Sequence, residues 1–235
     1  MILCCRSSTS VLYRYPYIER ARIALMADSI EGRFASIYDS LFGIILAPLR
    51  RATAQIIHQF NSQQVIDLGC GTGDQCIQAQ QHNPDAAIHG IDSSPGMIAV
   101  AQKKSPPEIS YQVGDSRATG FEDNQFDCAI ISLVLHAQSR EDRHQMLREA
   151  YRIVADTGIL IISDFGQRRT WKGLLPQAVV YVVESFALDD HRRNYHLFRR
   201  EGALQACIAR VGLPIVESNG FYYHALETIV VRNEK

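Results

Sequence analysis

The chain has 235 residues, 46% of them hydrophobic and 21% charged, and its 24 Lys and Arg nearly cancel its 25 Asp and Glu, leaving a formal charge of −1 and a pI near 6.7. This balance excludes a fibrous, low-complexity or wholly disordered chain, and its near-neutrality gives no overall electrostatic reason to bind nucleic acid. A chain of this length buries roughly 70 to 75% of the surface it exposes unfolded, which is enough for one domain with one sizeable core. The cysteines Cys4, Cys5, Cys70, Cys76, Cys128 and Cys207 show no repeated C-x-x-C spacing. They therefore suggest neither a zinc framework nor a disulfide scaffold, and a reducing, cytoplasmic setting is expected. No apolar run reaches the roughly 18 residues of a membrane span, and Leu174 to Leu188 is interrupted by Pro176, Gln177 and Glu184.

Residues 1–25 carry Arg6, Arg14, Arg20 and Arg22 and no acid before Glu19. They lack the apolar centre of an export signal, so they are expected to be a disordered leader or a wrongly assigned start, with Met26 opening a single domain over 26–235. From Glu31 to Phe60 apolar residues recur at helical spacing with Pro48 among them, which predicts two helices. Strands are then expected at Gln64 to Leu68, Ala87 to Ile91, Ile109 to Val113, Phe126 to Leu135 and Gly158 to Asp164, alternating with helices at Gln75 to His82, Pro95 to Lys103 and Arg140 to Val154. A helix near Glu201 to Val211 and a hairpin of Ile215 to Tyr223 with Leu226 to Arg232 complete the chain. Strands alternating with helices predict an α/β fold with a mainly parallel sheet covered on both faces.

The run Val65-Ile66-Asp67-Leu68-Gly69-Cys70-Gly71-Thr72-Gly73-Asp74 sets three glycines at alternate positions just past a buried strand, where side chains would keep a ligand from the backbone. Dehydrogenases use G-x-G-x-x-G, but here the last position is Asp74, whose carboxylate opposes a pyrophosphate at a helix N-terminus. A cationic or zwitterionic nucleoside ligand fits better. Asp92 ends the second strand, where a carboxylate can take both hydroxyls of a ribose, and Asp115 ends the third, within reach of the base.

Five stretches in order carry a family resemblance: V-I-D-L-G-C-G-T-G-D, then G-I-D-S-S-P-G-M-I from Gly90, V-G-D-S from Val113, F-D-C-A-I-I-S-L-V-L-H from Phe126, and L-R-E-A-Y-R-I-V-A-D-T-G-I-L-I-I-S-D from Leu147. Together they resemble the class I S-adenosylmethionine-dependent methyltransferases, and the match covers most of Glu31 to Arg232. The resemblance implies a Rossmann-like seven-stranded sheet with an antiparallel last strand and S-adenosyl-L-methionine as cofactor. It implies that Asp67, Gly69, Cys70, Gly71 and Gly73 cup the methionine end, that Asp92 and Ser93 serve the ribose, and that Met97, Asp115 and Ser116 lie beside the adenine. Leu133 would lie near the methionine portion.

Methyl transfer from a sulfonium needs chiefly proximity, so no acid or base is obligatory. For a phenol or carbon acid a base helps, and His136 after the fourth strand is the best-placed candidate, with Tyr38 of the N-terminal region a second. His136 could equally pack under the following helix, and the ring of Tyr38 could be core. The Asn-Pro-Pro-Tyr loop of amide-nitrogen methyltransferases is absent, since Ser132-Leu133-Val134-Leu135-His136 stands there. Trp171 to Leu188 is apolar nearly all round with arginines and a lysine at its ends, an interfacial or lid element within an insertion at 167–200, or equally a buried or dimer helix. Tyr38 to Gly43, Pro48 to Arg51 and Gly220 to Val230 look like quinone and phospholipid methyltransferases (methyltransferase type 11), although Leu135-His136-Ala137-Gln138 replaces the Gly-Leu-Arg-Asn stretch of the quinone enzymes. The expected partner is therefore a small lipophilic acceptor, with peripheral membrane contact, no nucleic acid and no metal. Two alternatives stay open: a protein or RNA methyltransferase using Arg168, Arg169, Arg192, Arg193, Arg199 and Arg200 as a basic rim, or a non-catalytic cofactor-binding subunit.

Overall fold

A computed structural model describes residues 30–167 and 189–234. The leader at 1–25 and the apolar stretch Trp171 to Leu188 lie outside the described residues. In chain order the elements are α1 (Ile30–Gln59), β1 (Gln64–Leu68), α2 (Asp74–His82), β2 (Ala87–Asp92), α3 (Pro95–Lys104), β3 (Ser110–Val113) and β4 (Phe126–Ser132). A short 3-10 turn (Leu135–Ala137) is followed by α4 (Arg140–Ile153), β5 (Val154–Phe165), α5 (Asp189–Arg200), α6 (Ala203–Val211), β6 (Ile215–Phe221) and β7 (Leu226–Arg232).

The seven strands form one sheet in the order β3-β2-β1-β4-β5-β7-β6. β3 through β5 run parallel, while β7 is antiparallel to both β5 and β6. Hydrophobic side chains fill both faces. On one, Leu49, Ile66, Ile131, Met146, Leu160, Phe198, Leu204 and Ile229 form a core under α4, α5 and α6. On the other, Ile57, Val65, Ala79, Ile98, Ile130 and Ile161 pack under α1, α2 and α3. Local sequence closes the helices: Ser94 caps α3 by accepting from the Met97 amide, with Pro95 at the first helical position, and Ser139 caps α4 by accepting from the Asp142 amide.

The N-terminal region is one helix of 30 residues rather than two, with Pro48 inside it. Proline removes one backbone bond but does not end a helix whose flanking turns are held by packing. Leu46 and Leu49 are buried beside it, Thr53 bonds the Leu49 carbonyl, and the Asn83 side chain ties the Ala54 carbonyl to α2. The fourth strand stops at Ser132 instead of Leu135, because Leu133 takes a left-handed φ of 57° and Leu135 is buried beneath the turn rather than in the sheet. An apolar run does not distinguish these two ways of being buried. The fifth strand starts four residues early, at Val154, since Val154 pairs with Phe126 before a register irregularity that the polar Asp156-Thr157 pair disguises as a turn.

Glu149 of α4 anchors the loop before β4. Its carboxylate accepts from the Thr119 amide and hydroxyl and from Arg152, and these partners hold its pKa down to about 2. A carboxylate whose pKa is depressed on folding adds stability above the unfolded value near 4.5, and that stability is lost as pH falls toward 2. The melting temperature should therefore fall between those limits in the wild type and fall less steeply in Glu149→Gln. That variant should lose roughly 1–3 kcal/mol at neutral pH by leaving buried donors poorly paired, and equal acid sensitivity in the two proteins would refute the assignment.

Candidate active site

The carboxyl ends of β1, β2 and β4 meet where the strand order reverses, and a cavity of about 250 Å³ opens there. Its walls come from Leu46, Leu49 and Arg50 of α1, the β1–α2 loop, Gln75, and Ser132 to Val134. Crevices at such switch points are the usual ligand sites of open α/β sheets.

The loop geometry is fixed from below. Gly69, Gly71 and Gly73 all have positive φ, at 79°, 55° and 82°. The amides of Gly69 and Cys70 both donate to the Ile91 carbonyl, and the Gly71 amide donates to Oδ2 of Asp92 at 2.9 Å. Oδ1 of Asp92 accepts from the Ser94 amide at 2.9 Å. Asp92 thus locks the loop to the end of β2, and each of its oxygens keeps a second lone pair for a ribose hydroxyl. A Cβ on Gly71 would meet nothing within 4 Å, so the backbone there faces open space. Under Gly73 the situation is opposite: the Tyr111 ring fills the gap, its hydroxyl bonded to Ser105 at 2.8 Å and directed at the Gly73 carbonyl. Sequence reasoning passed over Tyr111, although the glycine at Gly90, whose Cβ would strike the same ring at 2.7 Å, was the available signal.

Two charges of opposite sign face the cavity. Asp67 is fully buried, and loss of solvation pushes its pKa up to about 7, while the Cys76 thiol, 3.5 Å away, and Arg50 act against the rise. Arg50 pairs with Asp74 at 3.1 Å, and Lys104 pairs with the other oxygen of Asp74. Asp74 is therefore offset by two cations, and the charge available to a ligand lies at Arg50 and Asp67. Between them sits Gln75, 5% exposed, whose Nε2 bonds the Arg50 carbonyl and whose Oε1 has no donor. A buried acceptor without a partner is expensive. An α-ammonium supplies donors to both Gln75 Oε1 and Asp67, and a carboxylate suits Arg50, so this cavity fits the methionine end of S-adenosylmethionine. Arg50 lies in the Pro48 to Arg51 stretch that resembles the quinone and phospholipid methyltransferases, but that stretch assigns it no ligand role, and Gln75 carries no motif.

The remaining expected residues divide. Cys70 and Leu133 line the cavity, and Leu133 holds its strained φ with its amide bonded to Ser163. Ser93 and Met97 are exposed beside Asp92, open to a base. Asp115 lies on the same rim, but the Arg117 guanidinium grips it in a bidentate pair that holds its pKa below the usual range, and Arg117 also reaches Asp142. Ser116 is half-buried next to it. Tyr38 belongs to α1, and its side chain lies outside the described residues.

His136 is not on the cavity wall. It is 4% exposed on the turn after β4, with Nδ1 2.8 Å from Oδ1 of the fully buried Asp164 and its amide donating to Oδ2 at 3.1 Å. Rings of Phe165, His191 and Tyr195 surround it at 4.6, 5.3 and 6.2 Å. A carboxylate can only accept, so Asp164 selects the tautomer with hydrogen on Nδ1. The acid was visible at the end of a buried strand, but its partner across 28 positions was not. Of the arginines considered for a basic rim, Arg193 pairs with Asp190 and Arg199 bonds the Gly166 carbonyl. Cys70, Cys76, Cys128 and Cys207 are free thiols. Among the described residues, no three His, Cys, Asp or Glu are grouped to hold a metal ion, and no helix is long and apolar enough to cross a membrane.

Strand order, glycine loop and cavity together define a Rossmann-like nucleoside-binding domain with a reversed last strand. Residues 65–158 match the family model described as methyltransferase domain. Over this stretch the chain is similar to the class I methyltransferases, the class that uses S-adenosylmethionine. It is 31% identical over 136 residues to a demethylmenaquinone methyltransferase of Thermotoga maritima, covering 56% of this chain and 58% of that protein. A Thermus thermophilus protein of the same name is 28% identical over 119 residues, 49% of this chain and 53% of its own. The match thus spans little more than half the length of these relatives. Among solved structures, an O-methyltransferase-like protein from Nostoc punctiforme superposes with a TM-score of 0.63 at 17% identity, over 83% of this chain and 58% of that one. This last likeness establishes the fold.

Proposed function

We propose that this protein transfers the methyl group of S-adenosylmethionine to a small, lipophilic acceptor of the quinone type, with a phospholipid amine as the alternative. The observation that carries the reading is the cavity beside the glycine loop, where a buried carboxyl near neutrality, an acceptor without a donor and a guanidinium are arranged for a zwitterion. The names of the two bacterial relatives support the quinone class.

When bound, the cofactor supplies an activated methyl group whose sulfonium leaves without needing a proton. The chain's part is then positional. Asp67 and Gln75 hold an ammonium, Arg50 holds a carboxylate, and Asp92 takes a ribose while stitching Gly71 in place. Leu133 fixes the cavity wall at the end of β4 and, with Val134 packed over Gly69, keeps water from the donor end. For an acceptor that must lose a proton, no base is assigned on the cavity wall, because His136, bonded to Asp164, is buried off that wall. A lipophilic acceptor would be met at a membrane surface by a protein otherwise in the cytoplasm.

Calorimetric titration of S-adenosylmethionine into the purified chain tests the reading, followed by transfer of radiolabelled methyl to lipid and quinone extracts. Micromolar binding is expected, weakened about a hundredfold in Asp92→Ala, which removes two loop-holding bonds as well as a ribose contact. No binding sinks the proposal. Binding with label appearing only in RNA or protein, or nowhere, would replace it with one of the two alternatives.

A further inference from the structure

Three helices meet at one carboxylate. Asp74 opens α2 directly behind the glycine loop, Lys104 closes α3, and Arg50 comes from α1. Lys104 takes Oδ1 of Asp74 and also bonds Oγ1 of Thr72, within the loop, at 3.1 Å. Arg50 reaches the other oxygen, Oδ2, with one terminal nitrogen at 3.1 Å. This stops short of what an arginine ordinarily makes, since a guanidinium facing a carboxylate tends to take it with two parallel N–H bonds. The chain shows that fuller arrangement at Arg117, whose Nε and one terminal nitrogen lie 2.9 and 2.7 Å from the two oxygens of Asp115. At Asp74 the second oxygen already belongs to Lys104. The Arg50 fork therefore keeps donors to spare. Arg50 lines the cavity and Lys104 does not, and the bond from Gln75 Nε2 to the Arg50 carbonyl fixes that turn of α1 against the start of α2.

We propose that Lys104 is a positioning residue for ligand binding: by occupying Oδ1 of Asp74 it denies Arg50 a bidentate pair and leaves the guanidinium for a ligand carboxylate in the cavity. The proposal rests on the reading of this cavity as the seat of the methionine end. It assigns to a residue off the cavity wall part of the site's preference for a ligand that carries an α-carboxylate. The mechanism is competition, because Asp74 and the incoming carboxylate need the same fork. Without Lys104 the charges of Arg50 and Asp74 would cancel, and an anion entering the cavity would find the fork closed. With Lys104 in place Asp74 is neutralised from its far side, and one positive charge is left over at Arg50. The three side chains are 41%, 33% and 21% exposed for Asp74, Lys104 and Arg50, so each pair is of modest strength and the contest can be tipped by a single charge.

The test compares two ligands by calorimetry: S-adenosylmethionine and its decarboxylated form, which keeps the ammonium, sulfonium, ribose and adenine. In Lys104→Met, which preserves side-chain length without charge, S-adenosylmethionine should bind about three- to fivefold more weakly, the size expected of one partly exposed charge pair. The decarboxylated ligand should bind as it does to the wild type. In an Asp74→Asn background Lys104→Met should make no further difference, because the competing carboxylate is gone. Equal weakening of both ligands would make Lys104 a support of the loop through Thr72, and a loss that persists in the Asp74→Asn background would make it a direct attractor of the ligand. Either result overturns the proposal. A further readout needs no ligand: labelling of Arg50 by an arginine-selective dicarbonyl, followed by peptide mass spectrometry, should slow in Lys104→Met and recover when Asp74→Asn is added. If the wild type binds S-adenosylmethionine but neither binding nor labelling responds to Lys104→Met, the proposal fails and the cofactor reading stands. If the wild type binds no S-adenosylmethionine, the cofactor reading fails, and the labelling still decides whether Lys104 keeps Arg50 free.

Discussion

Gly73→Ala is expected to lower the melting temperature by roughly 5–15 °C and to abolish S-adenosylmethionine binding. Two costs add. At φ 82° any Cβ is strained, and this one would lie 2.9 Å from the Tyr111 ring, closer still to its hydroxyl, and 3.0 Å from Cβ of Ala101. Left-handed backbone and overpacking together come to about 2–4 kcal/mol. Tyr111 can yield only by giving up its bond to Ser105 and moving against Gly90, so the loop must shift instead. Gly71→Ala is the informative comparison, because its Cβ enters empty space. It should cost about 1 kcal/mol of stability and yet weaken binding strongly, since that space is where a ligand meets the backbone. Adding Tyr111→Phe to Gly73→Ala should restore part of the stability by removing the nearest atom. If Gly73→Ala melts within a degree of wild type, Tyr111 does not support the loop as described.

Asp67→Asn should move stability and binding in opposite directions. Burial raises the carboxyl from 3.8 to about 7, so the folded chain holds this proton more tightly than the unfolded one. The sign follows: without ligand, stability falls as pH rises from about 4 to about 7, because the unfolded chain ionises first. Asparagine removes that loss, and the variant should melt higher than wild type at pH 7. Cofactor affinity should behave in reverse. The ionised carboxylate attracts the ammonium, so wild-type affinity should rise about tenfold between pH 5.5 and 7, following the ionised fraction while the ligand's α-amino group stays protonated. In Asp67→Asn that slope should vanish and binding at pH 7 should be about tenfold weaker. Calorimetry across this range, with thermal melts of the unliganded protein, decides it. A variant that loses stability, or keeps the slope, would show that Asp67 is not the titrating group.

Most of the fold was legible because its signals are local. Buried strands of five to seven residues, alternating helices, and the Ser94-Pro95 and Ser139 caps are properties of short windows. What escaped were consequences of packing at a distance. Nothing near Pro48 says that α1 continues, since the reason lies in contacts of Leu49 and Thr53 with the domain. The site divides the same way. Gly69, Gly71, Gly73 and Asp92 announce themselves by spacing and by their place at strand ends. Arg50, Gln75 and Tyr111 do not, because ordinary residues on a helix or an edge strand become site residues only once α1 and β3 have been brought against the loop. His136 was singled out for its type and position, yet its relation to Asp164 depends on the β4–β5 register.

The strand order also bears on how the domain is made. β7 is translated after every other strand, yet it lies between β5 and β6 in the finished sheet. On the ribosome, β5 therefore waits with an unpaired apolar edge, and β6 has no neighbour until β7 emerges, an interval that synthesis at about 5–20 residues per second sets at seconds or less. During that interval the nascent chain presents a template for β-pairing with other chains. Protein lacking residues 226–232 should accordingly appear in aggregates or held by chaperones, whereas the glycine loop and its cavity, complete by Val134, can form while the rest is still being made.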